Sequence, residues 1–149
     1  MSLERWREYG WLKAEPTSVE EIRGLIGIVD RALNDANVEA ISDDLRFQAA
    51  FSASLTAANI ALRASGYRTT VQAGHHQKIV ESMEFTLKSD PSLIHKMKVF
   101  SKKRNATSYD SAGSISQQEL EQAIQLAGEL RQETTVWLNQ NYPALIQNL

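Results

Sequence analysis

The chain has 149 residues, of which 42% are hydrophobic and 23% are charged, so it is long enough for one domain with a hydrophobic core. It contains no cysteine, which excludes disulfides, thiolate chemistry and cysteine-based zinc sites. A formal charge of −2 gives the whole protein no general attraction for nucleic acid, so any such binding must come from a local patch.

The N-terminal residues and the length of the apolar runs bear on the cellular location of the protein. The N-terminus, Met-Ser-Leu-Glu-Arg-Trp-Arg-Glu, carries charges where a signal peptide needs an apolar core. No apolar run approaches the roughly 20 residues needed to span a membrane. We therefore expect a cytoplasmic protein without a membrane segment.

Residues 1–16 form an aromatic-rich lead-in that Pro16 closes, and residues 17–149 are expected to form a single helical domain. The lead-in contains Trp6, Tyr9 and Trp11. Three large aromatic side chains in so short a segment predict that it packs onto the surface of the domain. Contact with a partner is the alternative interpretation.

The first predicted helix begins at Thr17-Ser18-Val19-Glu20, which is read as a capping box. A second, longer helix is capped by Ser42 and runs to Ser65, where Gly66 ends it. This second helix is apolar on two faces, which is typical of a central helix. One face carries Phe47, Phe51, Leu55, Ala58 and Leu62, and the other is a ridge of Ala50, Ala53, Ala57, Ala61 and Ala64.

A third helix is predicted over residues 71–87, with His75 and His76 near its start. Adjacent positions of a helix diverge by about 100°, so two neighbouring histidines chelate one ion poorly. The chain also contains no HxxxH pair or carboxylate-rich partner motif. We therefore predict a core or capping role for His76, and neither a metal nor a cofactor.

The fourth predicted helix covers residues 93–110 and carries the most informative pattern of the chain. Its apolar stripe is Leu93, Met97 and Phe100, at positions i, i+4 and i+7. The next position of the stripe is Arg104, and a permanently charged side chain is rarely buried unless another group pairs with it. Hydrogen-bonding residues follow at once, namely Asn105, Thr107, Ser108 and Tyr109. A functional site is expected here before anywhere else.

Five basic residues concentrate within nine positions of this helix: Lys96, Lys98, Lys102, Lys103 and Arg104. They form the one candidate patch for nucleic acid. Lysines in the C-terminal half of a helix are also what the helix macrodipole favours, so a purely structural role stays open for them.

The last predicted helix begins at a second capping box, Ser116-Gln117-Gln118-Glu119, and ends at Asn141-Tyr142-Pro143. Its inner face carries Leu120, Ile124, Ala127, Leu130 and Trp137. Short connections join five helical segments, and no alternating strand pattern is present. The sequence therefore predicts an all-α fold, an up-and-down antiparallel bundle of four to five helices.

Four features taken together resemble the prokaryotic members of the HEPN superfamily (higher eukaryotes and prokaryotes nucleotide-binding). They are the alanine-rich helix ending Ala61-Leu62-Arg63-Ala64-Ser65-Gly66-Tyr67-Arg68, a histidine that opens the third helix, the run Lys102-Lys103-Arg104-Asn105-Ala106-Thr107-Ser108-Tyr109, and a long C-terminal helix. The resemblance covers about residues 18–140. The Arg-Asn-x-x-x-Tyr element is its most specific part.

In this family the usual site is an arginine, a polar residue and then a histidine four to six positions after the arginine. Arg104 and Asn105 match the first two, whereas Tyr109 stands at the place of the histidine. The resemblance implies binding of RNA or a nucleotide by Arg104, Asn105 and Tyr109, with Lys102 and Lys103 beside them. It also implies a homodimer, and a nucleotidyltransferase or antitoxin as a partner, as in toxin–antitoxin pairs.

Two alternatives to simple binding stay open. Nuclease members of the family cut RNA without a metal, and Arg104 and Tyr109 are the candidate catalytic residues here. Phenol, with a pKa of about 10, is a poorer general base than imidazole, with a pKa of about 6.5, so the motif lacks an obvious base. The other alternative is a non-catalytic dimerisation or interaction module, in which Arg104 pairs with a carboxylate such as that of Asp110.

The spacing within the motif sets a geometric condition. Arg104 and Tyr109 are five residues apart, which is roughly 140° around an ideal helix. They converge only if the helix ends or loosens between them. Asn105, Thr107 and Ser108 are poor helix formers that favour such an ending.

Overall fold

A computed structural model of the protein describes residues 1–70, 74–109 and 114–147, with the side chains of 106–109 excepted. Within these ranges the chain is an all-α helical bundle, as predicted. Its helices are α1 (Leu3–Glu8), α2 (Val19–Ala36), α3 (Asp43–Ala64), α4 (His75–Ser82), α5 (Pro91–Tyr109) and α6 (Gln117–Asn141). The strands β1 (Leu12–Ala14) and β2 (Tyr67–Thr69) form a small sheet, and a 3₁₀-helix covers Pro143–Ile146. None of the helices in the described ranges is long and apolar enough to cross a membrane.

Helices α2 and α3 form an antiparallel hairpin that polar contacts close at both ends. Near the start of α2, a carboxylate oxygen of Glu21 lies 3.3 Å from the guanidinium of Arg63, near the end of α3. At the other end, Arg46 donates a 2.9 Å hydrogen bond to the carbonyl of Ala36. The N-cap of α2 is Ser18, whose hydroxyl accepts from the backbone of Glu21, so the predicted capping box at Thr17 is one residue too early.

Helix α3 lies at the centre of the bundle and contacts α2, α4, α5 and α6. Every residue predicted on its two apolar faces is buried except Leu55, which is half-buried. The alanine ridge allows close approach of α6, since the hydroxyl of Thr134 reaches the carbonyl of Ala57 at 3.5 Å. Gly66 follows the helix at a φ of +94°, in the left-handed region that favours glycine.

Helices α5 and α6 both pack against α3, and α6 also contacts α2. The second predicted capping box is confirmed, because the side chains of Ser116 and Glu119 each accept from the other residue's backbone N–H at 3.0 Å. Glu119 at the start of α6 also pairs with Lys103 in the last third of α5, at 3.1 Å. On the inner face of α6, Leu120, Ala127 and Leu130 are buried, whereas Ile124 and Trp137 are half-buried.

Helix α4 is shorter than the predicted helix over residues 71–87. It begins after Gly74, whose φ of +84° does not continue a right-handed helix, and residues 71–73 lie outside the described ranges. After Ser82 the chain goes on in turns, with bonds between residues three apart such as the 2.9 Å bond from the N–H of Phe85 to the carbonyl of Ser82.

The lead-in is part of the folded domain. Helix α1 buries Trp6, whose ring packs edge-on against Trp11 and Phe85 at centroid distances of 5.9 and 5.3 Å. Strand β1 then pairs antiparallel with β2, with Leu12 opposite Thr69. The sequence predicted no strand, which is wrong for these two segments. Each has three residues, too few to show a pattern of period two.

Candidate functional site

The predicted apolar stripe of α5 is confirmed up to the point where Arg104 interrupts it. Met97 and Phe100 are buried, and Leu93 is half-buried. The ring of Phe100 packs edge-on against Phe47 of α3, with ring centroids 5.4 Å apart. One turn after Phe100, the next position of the stripe is Arg104, which carries a guanidinium instead of an apolar side chain.

Arg104 occupies its place on the stripe by lying on an aromatic ring. Its guanidinium carbon is 5.5 Å from the ring centroid of Phe51, which is buried in α3. A cation over a ring face is attracted by the ring quadrupole, so the charge of Arg104 has a favourable neighbour without leaving solvent completely. The side chain is half-buried, which explains how a charge can follow the apolar stripe.

Asn105 extends the polar end of this arrangement. Its side-chain oxygen accepts a 3.3 Å hydrogen bond from Nη2 of Arg104, and the residue is exposed. An exposed amide beside a guanidinium places donors and an acceptor within reach of one bound group. The structure therefore brings two of the predicted site residues together at the surface of α5.

Tyr109 does not approach Arg104 through a loosened helix. The backbone of α5 is helical through Tyr109, so the predicted ending between the two residues is wrong, and their positions stay about 140° apart. The side chain of Tyr109 and the whole of Asp110 lie outside the described part of the structure.

The lysines of the basic cluster are divided between ion pairs and solvent. Lys98 lies 3.6 Å from Glu81 of α4, and Lys103 pairs with Glu119 of α6, so both help to hold α5 in place. Lys96 and Lys102 are exposed. A purely structural role therefore fits Lys98 and Lys103. Lys102 is exposed and lies two residues before Arg104, so it is accessible to a ligand bound there.

One histidine that precedes Arg104 in the chain, His76, lies near enough for the charge of Arg104 to act on it. The rings of His75 and His76 stand 4.3 Å apart, centroid to centroid, at the start of α4. Burial lowers the pKa of His76 below its ordinary value, and the charges of His75 and Arg104 lower it further. His76 is therefore mostly neutral at pH 7, with an imidazole near the guanidinium of α5.

The predicted core or capping role of His76 is wrong. The residue is half-buried rather than in the core, and the N-cap position of α4 is Gly74, which makes no side-chain capping bond. His76 instead lines a cavity between α3, β2 and α4. Sequence reasoning missed this role because the signal is a contact across helices, and nothing in the local pattern around residue 76 encodes it.

Several contacts fix α4, and with it the histidines. Ile79 and Val80 are buried in the core, and Lys78 lies with its ammonium 3.8 Å from the ring centroid of Trp11. Glu81 accepts the ion pair from Lys98 of α5. The aromatic lead-in and α5 therefore hold α4 from two sides, which fixes where His75 and His76 stand.

Two cavities flank this part of α4. The first, of about 240 Å³, contains His75 and His76 together with Arg63 of α3. The second, of about 280 Å³, lies between α4 and α5 and is lined in part by His95, Lys102 and Asn105. Within the described ranges, no group of three or more histidine, aspartate and glutamate side chains is placed to hold a metal ion.

Comparisons with models of protein families, with curated proteins and with solved structures find no match to this chain. The site is therefore interpreted from its own residues and from the motif in α5.

Proposed function

We propose that this protein is a HEPN-like RNA- or nucleotide-binding protein whose binding face is the C-terminal half of α5. Arg104 and Asn105 are the central contacts, and Lys102, Lys103 and Tyr109 complete the site. The observation that supports the proposal best is the position of Arg104. Its guanidinium lies over Phe51, is half-buried, and bonds to an exposed amide.

This position suits recognition of a phosphate. A guanidinium binds phosphate oxygens through two parallel N–H donors, and it does so most strongly where its orientation is already fixed. The ring of Phe51 and the amide of Asn105 restrain the guanidinium of Arg104 on two sides. The exposed ammonium of Lys102 adds local positive charge, which a protein of net charge −2 needs in order to bind a polyanion.

The cellular setting of the proposal follows from the resemblance of the motif. It comprises a cytoplasmic homodimer, and association with a nucleotidyltransferase or antitoxin in a toxin–antitoxin pair. The alternative interaction module requires Arg104 to be sealed against a carboxylate. In that alternative the carboxylate is one such as that of Asp110, which lies outside the described residues.

Replacing Arg104 with alanine tests the proposal directly. We expect the variant to bind a short fluorescein-labelled single-stranded RNA at least about tenfold more weakly than wild type, since a hydrogen bond to a charged group contributes about 1.5–3 kcal/mol. Fluorescence anisotropy measures the binding, and circular dichroism checks the fold. Arg31→Ala, which removes an exposed arginine from α2, is the matched control and should bind as wild type. Equal affinity of Arg104→Ala and wild type for the RNA would show that Arg104 is not part of the binding site.

A second candidate function, metal-independent cleavage of RNA, is favoured by His76. The motif in α5 has no histidine after Arg104, but α4 supplies a neutral imidazole in its neighbourhood. A neutral imidazole is able to take the proton of a 2′-hydroxyl, and a guanidinium stabilises the charge that develops on the phosphate. Tyr109 then has no need to act as the base.

The same RNA, incubated with the protein in EDTA and run on a denaturing gel, separates cleavage from binding. If the protein cleaves RNA, products appear with wild type and disappear with His76→Gln, whereas Arg31→Ala changes an exposed residue of α2 and leaves the products unchanged. Intact RNA in every lane, combined with binding that depends on Arg104, leaves the protein a binder only.

A further inference from the structure

The cavity beside His76 is lined mostly by polar side chains. It has a volume of about 240 Å³ and lies where the C-terminal half of α3, strand β2 and the start of α4 meet. Apart from two aliphatic side chains, its lining residues are Thr56, Asn59, Arg63, Thr69, His75 and His76. None of these residues was singled out by the motif in α5, and three belong to α3.

The lining concentrates positive or protonatable groups. Arg63, His75 and His76 come from two helices, and no carboxylate is among the described residues that line the cavity. Glu21 of α2 pairs with Arg63 at 3.3 Å, and Arg68 pairs with both Glu21 and Glu15. The charges of His75 and Arg104 both act against protonation of His76. An anion in the cavity would relieve this repulsion.

The uncharged part of the lining supplies hydrogen-bonding groups. The two threonine hydroxyls and the amide of Asn59 are able to donate to oxygen atoms, as is an N–H of either imidazole. A phosphate presents several acceptor oxygens in a small volume and is commonly bound by such a mixture of side chains. The cavity is smaller than the roughly 300–1,000 Å³ of typical small-molecule sites, so its size suits a phosphate group better than a whole nucleotide.

We propose that this cavity is a phosphate-binding subsite, formed by Arg63, Asn59 and His76, that receives a phosphate of the same ligand that Arg104 contacts. The second clause rests on the function proposed above, whereas the first does not. His76 connects the two places, because it lines the cavity and lies at the start of α4, which packs against α5. An RNA backbone or a nucleotide with a terminal phosphate would then be held at two points.

Inorganic phosphate is the probe for the cavity, with histidine titration by NMR as the readout. A bound dianion favours the charged imidazolium, so phosphate should raise the pKa of His76. The groups that face this imidazole are His75 on α4, Arg63 on α3 and Arg104 on α5, with Glu21 behind Arg63. His95, exposed on α5, is the internal control and should titrate as before. Sodium chloride at matched ionic strength controls for screening.

Variants of the lining identify the subsite. Calorimetry should show phosphate binding at least about fivefold weaker with Asn59→Ala and with His76→Gln, because each removes a hydrogen-bonding group, and unchanged with His95→Gln. Two variants on different helices are used so that a folding defect in one does not decide the result. No change in the pKa of His76, or equal changes in all histidines with both salts, would overturn the subsite.

The two proposals fail in different ways. If phosphate raises the pKa of His76 but Arg104→Ala binds RNA as wild type does, the site on α5 is wrong and the subsite stands. If RNA binding needs Arg104 but phosphate leaves His76 unchanged, and Asn59→Ala binds RNA normally, the subsite is wrong and the site on α5 stands. A loss of RNA binding in both Arg104→Ala and Asn59→Ala, with the shift at His76, supports the two-point contact.

Discussion

Helix α3 presents two faces whose surroundings differ. Towards α2 and α6 it offers small buried residues such as Ala53 and Ala57, and ion pairs brace the neighbouring helices, as where Arg131 of α6 bonds Asp30 of α2 at 2.6 and 3.2 Å. Towards α5 it offers the rings of Phe47 and Phe51, and a guanidinium lies on the second of them.

Two arginines show what this difference means. Two parallel hydrogen bonds join the planar guanidinium of Arg131 to the carboxylate of Asp30. They connect α6 with α2. Arg104 lies on a ring, which supports its charge while the side chain stays half-buried. The α2–α6 side therefore holds its arginine in an ion pair beside a cavity of about 640 Å³, whereas the α4–α5 side holds Arg104 on a ring.

The largest expected effect on the free energy of unfolding comes from truncating a buried side chain of α6. Leu130→Ala on α6 removes a fully buried side chain, and we expect a loss of about 2–5 kcal/mol in the free energy of unfolding. Chemical denaturation followed by circular dichroism measures it. Val136→Ala, at an exposed position of the same helix, should cost less than about 0.5 kcal/mol. Similar losses for both variants would show that α6 is not packed as described.

A smaller effect on the free energy of unfolding is expected from Glu21, which connects the start of α2 with the end of α3. Burial acts to raise the pKa of Glu21, but hydrogen bonds from Thr17 and Arg68 and the charges of Arg63 and Arg68 outweigh it, so the pKa is lowered. Glu21→Gln should cost about 1–3 kcal/mol at pH 7. The control is Glu20→Gln, at the exposed neighbouring residue, which should leave the free energy of unfolding nearly unchanged.

The pH dependence of the Glu21→Gln effect has a definite sign. A carboxyl whose pKa is lower in the folded state stabilises the fold above its unfolded pKa of about 4.3, and this contribution is lost as the pH falls through the folded value. The difference in stability between wild type and Glu21→Gln should therefore shrink below about pH 4.3. A difference that stays constant from pH 7 to pH 3 would contradict the role of this carboxylate.

The smallest effect on stability, but the most selective on function, comes from the two phenylalanines of α3. Phe47→Leu and Phe51→Leu both keep a buried apolar side chain, so each should cost no more than about 1.5 kcal/mol. Only the second removes the ring beneath Arg104. RNA binding by anisotropy should weaken in Phe51→Leu and not in Phe47→Leu. Equal binding by the two variants would mean that the ring does not position the guanidinium.

Most of the bundle could be predicted because its signals are local. The capping box at Ser116, the cap at Ser42 and the glycine after α3 each depend on residues within one turn of each other, and all three are confirmed. The error at Thr17 has the same origin, since Ser18 is an equally good cap and only packing selects between them.

The parts that could not be predicted depend on contacts between distant segments. The pairing of Leu12 with Thr69 needs both strands in place, and neither segment is long enough to predict a strand alone. For the site, the sequence pointed to Arg104 and Asn105 because a charge interrupts a regular stripe. The nearness of His76 to Arg104 follows from how α4 and α5 pack on α3, which no pattern within either helix encodes.

The small sheet also sets an order in which the chain can fold. Strands β1 and β2 flank the whole α2–α3 hairpin, so β1 meets its partner only after that hairpin has brought the two segments together. Closing a loop of this length before its contacts form costs chain entropy, and we expect the sheet to form late. Because β2 carries Thr69 into the cavity of His76, that cavity is then among the last parts of the molecule to take shape.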